Sequence, residues 1–434
     1  MRIGSCSFER IVSDLPLFII NVEGAKLVYT PGFVYPVNEV NLKEFLRRLK
    51  GSQNSNDLKN APNVLSSFIS KAREMKNIWD KIQKQPFIPT CLTINLSNEC
   101  NLNCQYCFIG KDLIETQELD LDKVYAVASH FIKSCSQYNR TFVAVFNGGG
   151  EPTYDWARFT KCIYALREMG TNSNVPVFIY LSTNGVMDND QVKWIAKNID
   201  LVSISCDGPP EVNNKIRGAD SSKYVENTIK ILNDRNCIFQ IRTTITHDTV
   251  RHQKDIVEYL TNQLKAKEIR FEPAYGLRQN PFKKKDAGIF AKNFIEAEKL
   301  AKRQNALLLF SGVRINELHG PFCHSLRDTA HLASDGRLVN CFFRAETPRE
   351  QDIFPEQFWN NNRVSLEKLS FLKDAGYKTH ADCNLCFNTY HCSRGCPDVC
   401  FTPDGEWSEL NEFRCRLHQL LAAHWIYGHI KGEQ

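Results

Sequence analysis

The sequence lacks any long hydrophobic run, because none of its apolar stretches approaches the roughly 20 residues that a helix needs to cross a bilayer. Its amino-terminal segment has no signal-peptide pattern, since the apolar stretch Leu15–Val22 follows Glu9, Arg10 and Asp14. The sequence also has no internal repeat and no low-complexity tract. We therefore expect a globular, cytoplasmic protein that does not enter a membrane.

Charge of one sign is not concentrated anywhere in the chain. The 434 residues carry a formal net charge of +5, and the densest basic run is only Lys283–Lys285. Scattered basic residues are typical of a solvated surface and not of a nucleic-acid site, so we expect no nucleic-acid partner. A chain of this length exceeds one ordinary core, which predicts two or three domains.

Cysteine, in contrast, is abundant, with 17 residues. In a reducing compartment this density favours metal ligands over disulfides. Eleven of the cysteines fall into two groups, at residues 100–107 and 323–415. Among the others, Cys135, Cys162 and Cys206 lie in apolar runs, where we expect them to be small buried hydrophobic residues.

Residues 1–88 are predicted to form a separate N-terminal domain. Phe18–Val22 and Ala25–Thr30 have the pattern of a β-hairpin, and helical patterns follow around Val40–Leu49 and Val64–Ile82. Strands followed by helices fit a small winged-helix domain that binds a leader peptide, but they fit a simple capping segment as well.

From residue 89 to residue 310, strand-like and helical patterns alternate. The strand-like runs are Cys91–Leu96, Thr141–Phe146, Val177–Leu181, Leu201–Ser205, Ile238–Ile245 and Glu268–Glu272, and the helical patterns between them are Asp120–Cys135, Asp155–Met169, Asn189–Asn198, Ser222–Asn233 and Val250–Leu264. This alternation predicts βα units around a parallel sheet, with the active site at the carboxyl ends of the strands. Residues 311–434 have little of this periodic pattern, and we predict that bound metal clusters stabilise their fold.

The first cysteine group follows the first of these strands. Cys100, Cys104 and Cys107 are separated by three and two residues, which fits a loop around one cubane cluster. Three thiolates leave one iron open to bind the amino and carboxylate groups of a small molecule. A structural zinc site is the alternative, but zinc normally takes four ligands and no fourth lies nearby.

This CxxxCxxC loop resembles that of the radical S-adenosylmethionine (SAM) superfamily, and three further motifs follow in the order of that family. Asn147–Thr153 resembles the GGEP motif, although a glycine run alone would indicate only a tight turn. Ser182–Gly185 comes next, and Ser205–Pro209 with Arg217 resembles the SxDGP…R stretch of peptide-modifying members. The resemblance implies an α/β fold built on a partial (β/α)6 TIM-like barrel.

The same resemblance implies cofactors and the residues that hold them. A radical-generating 4Fe–4S cluster would bind the three cysteines, with SAM beside it. The implied SAM-binding residues are Tyr106, Gly149, Gly150, Glu151, Pro152, Ser182, Asn184, Ser205, Asp207 and Arg242. For Arg242, a role on the SAM carboxylate and a place on the exposed surface are both open.

The second cysteine group resembles the signature of the SPASM domain, which would cover residues 311–434. Its members are Cys323, Cys341, Cys383, Cys386, Cys392, Cys396 and Cys415, in an order that disfavours a zinc ribbon. The resemblance implies two auxiliary 4Fe–4S clusters, which makes three clusters in all. Cys383, Cys386, Cys392 and Cys415 would complete one of them. Cys323, Cys341 and Cys396 would hold the other, with its fourth position either open or filled by Cys400.

The function implied is that of a radical SAM peptide maturase. A 5′-deoxyadenosyl radical would abstract a hydrogen from a ribosomal precursor peptide, made of leader and core, and a C–C or C–S crosslink or a related modification would follow. The implied electron source is an external one-electron donor such as flavodoxin or ferredoxin. No general base can be named, because Glu272, His324 and Asp335 have no spacing that singles them out.

Two alternatives stay open at this point. One is maturation of a protein substrate, such as a sulfatase or a dehydrogenase subunit. Sulfatase-maturing members carry an Asp directly after the second SPASM cysteine, but this chain has Phe342 there, which argues against that substrate. The other alternative is a non-catalytic iron–sulfur electron carrier.

Overall fold

The computed structural model describes residues 6–51, 63–85, 87–107, 116–274, 282–318, 327–339, 381–392 and 411–432. The N-terminal region is a four-stranded antiparallel sheet in chain order, followed by two helices: β1 (Cys6–Val12), β2 (Leu17–Val22), β3 (Ala25–Thr30), β4 (Phe33–Val37), α1 (Glu39–Gly51) and α2 (Asn63–Lys84). The predicted hairpin and both helices are confirmed. Strands β1 and β4 were not predicted, since Glu9 and Arg10 interrupt one and Pro36 lies in the other.

A nine-stranded sheet forms the main body of the protein. Its strands are β5 (Cys91–Ile94), β6 (Phe142–Phe146), β7 (Val177–Thr183), β8 (Leu201–Ser205), β9 (Phe239–Ile245), β10 (Glu268–Pro273), β11 (Leu307–Leu309), β12 (Thr329–Leu332) and β13 (Leu338–Val339). The order is β11-β10-β9-β8-β7-β6-β5-β12-β13, and β5 to β11 are all parallel. All six predicted strands are confirmed in the predicted order.

Helices connect the parallel strands. They are α3 (Leu121–Gln137), α4 (Trp156–Asn172), α5 (Asn189–Asn198), α6 (Pro210–Arg217), α7 (Ser221–Asp234), α8 (Gln253–Asn262) and α9 (Asp286–Arg303). Several begin at side-chain caps; Asp188, for example, forms a capping box with Gln191 at the start of α5. The winding of an open sheet in chain order, with helices on one side, is that of a partial barrel.

The strands of the barrel have one face buried under the helices and one concave face. On β7, Ile179 and Leu181 are fully buried, whereas Tyr180 and Ser182, which alternate with them, are half-buried. Because successive side chains of a strand point to opposite faces, Tyr180 and Ser182 line the concave side. Cys135, Cys162 and Cys206 are buried, as expected of small hydrophobic residues.

The C-terminal segment joins the other two regions. Strand β12 lies beyond residue 310, yet it pairs in parallel with β5 and extends the barrel sheet. Helix α10 (Ala381–Leu385) and a 3₁₀ turn (Phe387–Tyr390) follow, and α11 (Glu412–Lys431) packs against α9 and the N-terminal strands. The residues predicted as ligands or acid–base candidates that lie outside the described residues are Cys323, His324, Cys341, Cys396 and Cys400, and Phe342 lies there too.

Candidate active site

Residues 97–107, the cysteine loop, leave the carboxyl end of β5 and carry Cys100, Cys104 and Cys107. The backbone N–H of Leu102 donates to the sulfur of Cys100 at 3.4 Å, and the Gln105 N–H donates to a carbonyl of α6 at 2.9 Å. Burial raises the pKa of the Cys104 thiol to about 11, although the nearby Arg217 lowers it, and charges on Cys100 and Cys107 are close enough to contribute. The Cys107 N–H donates to the Cys104 carbonyl at 3.0 Å, so the three cysteines lie on one tightly turned loop.

Residues 147–153, the glycine loop, follow β6 and pack directly on the cysteine loop. The Gly150 N–H donates to the Ser97 carbonyl at 2.8 Å, and the Glu151 N–H donates to the Glu99 carbonyl at 2.7 Å. A Cβ on Gly150 would lie 2.6 Å from the Glu99 nitrogen and would overlap its carbonyl group. Gly149 has a positive φ of 73°. The close approach that requires glycine here is thus between two loops of the protein.

Glu151 ties the glycine loop to the loop after β7. Its carboxylate is buried and accepts bonds from the hydroxyls of Thr153 and Thr183, each at 2.7 Å, and from the Asn184 N–H at 2.7 Å. Burial raises the pKa of Glu151 in spite of these donors. Pro152 is buried in the same turn.

Asn184 carries the connection on to the cysteine loop. Its side-chain amide donates to Asn101 Oδ1 at 2.6 Å and to the sulfur of Cys100 at 3.7 Å. Sequence reasoning assigned Asn184 to SAM, and the contact with a cysteine sulfur was not predicted. Amide donors to a sulfur tune an iron–sulfur site.

Asp207, after β8, organises the other side of the cysteine loop. It is fully buried, accepts from Arg217 Nε at 2.8 Å and Nη2 at 3.3 Å, and accepts from the Tyr106 hydroxyl at 2.8 Å. The Thr244 N–H adds a further bond at 2.9 Å, and the guanidinium of Arg217 lies over the Tyr106 ring, 5.5 Å from its centroid. This bidentate pair fixes Tyr106, which the family resemblance assigns to SAM binding.

Ser182, Ser205 and Arg242 lie on the concave face. Ser205 on β8 pairs in register with Arg242 on β9, and both side chains are half-buried. The Arg242 guanidinium has no hydrogen-bond partner within the described part of the chain, so it remains available to a carboxylate. The structure thus brings the four sequence motifs to one edge of the sheet.

Four cysteines of the second group lie in or beside these C-terminal elements: Cys383 in α10, Cys386 and Cys392 on either side of the 3₁₀ turn, and Cys415 in α11. The Cys386 N–H donates to the Cys383 carbonyl at 3.2 Å, and burial raises the pKa of the Cys386 thiol to about 12. Helix α11 carries Cys415, and Gln419, one turn further on, donates to the sulfur of Cys386 at 3.7 Å. The arrangement brings all four to one region.

His418, also on α11, was missed by sequence reasoning. Its Nδ1 lies 3.4 Å from the sulfur of Cys392, and burial holds its pKa well below the ordinary value. A Cβ on Gly312 would overlap the His418 ring, which explains the glycine. Its spacing of three residues from Cys415 places both on one face of a helix and could have identified it.

The candidate bases that the structure describes have local structural partners. Glu272 Oε1 accepts from the Ser311 N–H at 3.1 Å, and Asp335 Oδ1 accepts from the Arg337 N–H at 2.9 Å. Within the described ranges, no group of three or more His, Cys, Asp or Glu is arranged around a single metal ion. A cubane spreads its ligands over several irons, so thiols that hold one lie further apart than the ligands of one ion.

Comparisons with known proteins agree with this geometry. The model of the radical SAM superfamily matches residues 94–260. A cysteine-type anaerobic sulfatase-maturating enzyme of Clostridium perfringens is 26% identical over 347 residues, which cover 73% of this chain and 91% of that protein.

Two solved structures share the fold. The structure of anSMEcpe with bound AdoMet has a TM-score of 0.65 at 20% identity, covering 80% of this chain and 100% of that one. Streptococcus suis SuiB bound to its precursor peptide SuiA has a TM-score of 0.54 at 13% identity, covering 90% and 95%.

None of the described helices is long and apolar enough to span a bilayer.

The family match covers β5 to α8, where the cysteine loop, the glycine loop and Asp207 lie together. SAM and one 4Fe–4S cluster are the cofactors of this superfamily. Residues 94–260 therefore form a radical SAM domain, the chain is an enzyme, and its cysteine pattern is similar to that of the SPASM-type branch.

Proposed function

We propose that this enzyme is a maturase of a ribosomally made precursor peptide. A hydrogen atom of the peptide would pass to the 5′-deoxyadenosyl radical, and the peptide radical would form a C–C or C–S crosslink or a related modification. The surplus electron of a crosslink would pass to an auxiliary cluster and the proton to solvent. The observation that carries the proposal is the joining of the cysteine loop, the glycine loop and the Asp207 pair by hydrogen bonds at the carboxyl edge of β5 to β9. SAM and the cluster supply a 5′-deoxyadenosyl radical when bound.

The chain's own residues would hold and orient these groups. Cys100, Cys104 and Cys107 would ligate the cluster, with Leu102 N–H and the Asn184 amide donating to the sulfur of Cys100. The half-buried Arg242 would take the SAM carboxylate, and Tyr106 would border the adenine, held by its bond to Asp207. The rest of the SAM site would be lined by Gly149, Gly150, Glu151, Pro152, Ser182 and Ser205.

The N-terminal region supports a peptide substrate. The sulfatase-maturase structure covers 80% of this chain and the SuiB structure 90%, so the former leaves about a fifth without a counterpart. That fifth is the size of the predicted domain 1–88 of the 434 residues. Such a domain would hold the leader, with the core in the barrel; SuiB, which shares this fold, has been solved bound to its precursor peptide SuiA.

The cysteines of the second group would hold the auxiliary clusters. Cys383, Cys386, Cys392 and Cys415 would complete one cluster, with Gln419 and His418 against its sulfurs. Cys323, Cys341 and Cys396 would hold the second, with Cys400 as a candidate fourth ligand. About twelve irons per chain would then bind, and a count of roughly four would contradict the auxiliary clusters.

Maturation of a protein cysteine is the second candidate, favoured by the 26% identity over most of the sulfatase-maturating relative. Phe342 argues against it.

One experiment separates the two. The reconstituted enzyme, with SAM and an anaerobic one-electron reductant such as reduced flavodoxin, is incubated with precursor peptides encoded near its gene and with a cysteine peptide of a sulfatase. Mass spectrometry should find a loss of two hydrogens, or a larger loss, in a precursor peptide only. Modification of the sulfatase peptide alone would contradict the proposal.

A further inference from the structure

Two arginines stand side by side on the concave face of the barrel. In the parallel register, Arg242 of β9 pairs with Arg270 of β10. Neighbouring strands lie about 4.8 Å apart, and paired residues of a parallel sheet point to the same face. The flanking Ile241, Ile269 and Phe271 are fully buried under the helices, which leaves both arginines on the open side.

The two positive charges have little compensation nearby. Arg270 Nη2 lies 3.9 Å from Oε1 of the half-buried Glu268, a distance at which an ion pair is weak. Arg270 Nη1 donates to the neutral Ser311 hydroxyl at 2.8 Å, and its Nε is buried without a hydrogen-bond partner in the described residues. The nearby Glu272 accepts from the Ser311 N–H and forms no ion pair with Arg270 in this part of the chain.

A buried guanidinium N–H without an acceptor is costly, and two neighbouring like charges repel each other. Both costs vanish when an anion with two acceptor oxygens enters, because the guanidinium fork matches a carboxylate. Two positions earlier on β8 and β9, Ser203 Oγ and Gln240 Oε1 are buried polar atoms that also lack a hydrogen-bond partner among the described residues. The charges and unpaired polar groups of this concave face therefore favour a polar, anionic ligand.

We propose that Arg270 binds a carboxylate of the substrate, the side chain of a Glu or Asp in the peptide segment that enters the barrel. This inference rests on the proposed function and adds to it: one carboxylate of SAM is assigned to Arg242, so the neighbouring Arg270 takes the second anion. The substrate segment would then carry an acidic residue near the position that is modified.

The test titrates two blocked tripeptides, N-acetyl-Gly-Glu-Gly-amide and N-acetyl-Gly-Gln-Gly-amide, into the SAM-bound holoenzyme by calorimetry. The Glu peptide should bind roughly 10- to 100-fold more tightly than the Gln peptide, as expected for a charge-assisted contact. Arg270→Gln should remove that preference, and Arg270→Lys should keep part of it. The exposed Arg251→Gln variant keeps the total charge of Arg270→Gln and should bind like the parent.

Equal binding of both tripeptides by the parent enzyme would overturn the inference, and so would an undiminished preference in Arg270→Gln. Thermal unfolding of each variant reports whether it folds. If Arg270→Gln does not fold, Arg270→Lys decides. A Lys variant that binds the Glu tripeptide as tightly as the parent does would contradict a bidentate contact. Failure of the proposed function has a separate readout, namely no mass change in any precursor peptide.

Discussion

Gly150 offers the sharpest test of how the site is assembled. In Gly150→Ala, the new Cβ would overlap the backbone carbonyl of Glu99, and a backbone cannot move aside as a flexible side chain can. The glycine loop would have to withdraw from the cysteine loop. That movement breaks the two bonds from the Gly150 and Glu151 amides to the carbonyls of Ser97 and Glu99.

The magnitude follows from these contacts. Two backbone hydrogen bonds are worth about 1 kcal/mol each, and overpacking of a tight contact costs about 1–3 kcal/mol. We therefore expect Gly150→Ala to lower the free energy of unfolding by about 3–5 kcal/mol. We also expect it to reduce iron retention and SAM cleavage, because the displaced loop carries Glu151 and with it the contact to Asn184.

The assay is urea unfolding under anaerobic conditions, with iron content measured on the same samples. Gly288→Ala in α9 is the matched control, because a Cβ there meets nothing within 4 Å. It should be unchanged or more stable by up to about 1 kcal/mol. If Gly150→Ala unfolds within about 1 kcal/mol of the parent and keeps its iron, the two loops do not meet as described.

Three further predictions concern buried polar groups. Asp207→Asn leaves the buried Arg217 without its anion and should cost about 3–5 kcal/mol and weaken SAM binding, read by calorimetry; an unchanged affinity would contradict the role of the pair. Glu151→Ala removes the acceptor of the Thr183 hydroxyl and the Asn184 N–H and should lower the free energy of unfolding in urea by about 2–4 kcal/mol. An unchanged free energy of unfolding would contradict the role of Glu151 in joining the two loops. Burial lowers the pKa of His331 from its ordinary 6.5 to about 4, because the folded protein holds the imidazole neutral. The unfolded chain takes up a proton at His331 as pH falls from 6.5 toward 4, so the free energy of unfolding is full above pH 6.5 and decreases over that range. His331→Leu should therefore flatten the loss of stability between pH 7 and pH 4.5 by about 2–3 kcal/mol, and parallel curves for parent and variant would refute this.

Local patterns predicted the parts of the site but not their contacts. The six barrel strands were readable because apolar runs alternate with helical patterns, and the motifs follow the strands directly. That Gly150 meets Glu99, or that Asn184 reaches the sulfur of Cys100, depends on how two distant loops pack, which has no signature in one sequence.

Other features were hidden by their composition or by their distance in the chain. Strand β12 is four residues long and joins the sheet beside β5, more than 230 positions away in sequence. Arg270 has no signature in the sequence, because an Arg in a strand-like run usually reaches solvent. Only the register of β9 against β10 places it beside Arg242.

We propose that Cys100, Cys104 and Cys107 hold the cluster that cleaves SAM. This is tested most directly by measuring 5′-deoxyadenosine from the anaerobically reconstituted protein with SAM and dithionite, in the parent and in a variant with all three cysteines changed to alanine. The parent should release 5′-deoxyadenosine, and the variant should release none while it keeps the iron of any auxiliary clusters. Release by the variant at the parent's rate, or no release by an iron-loaded parent, would contradict the account.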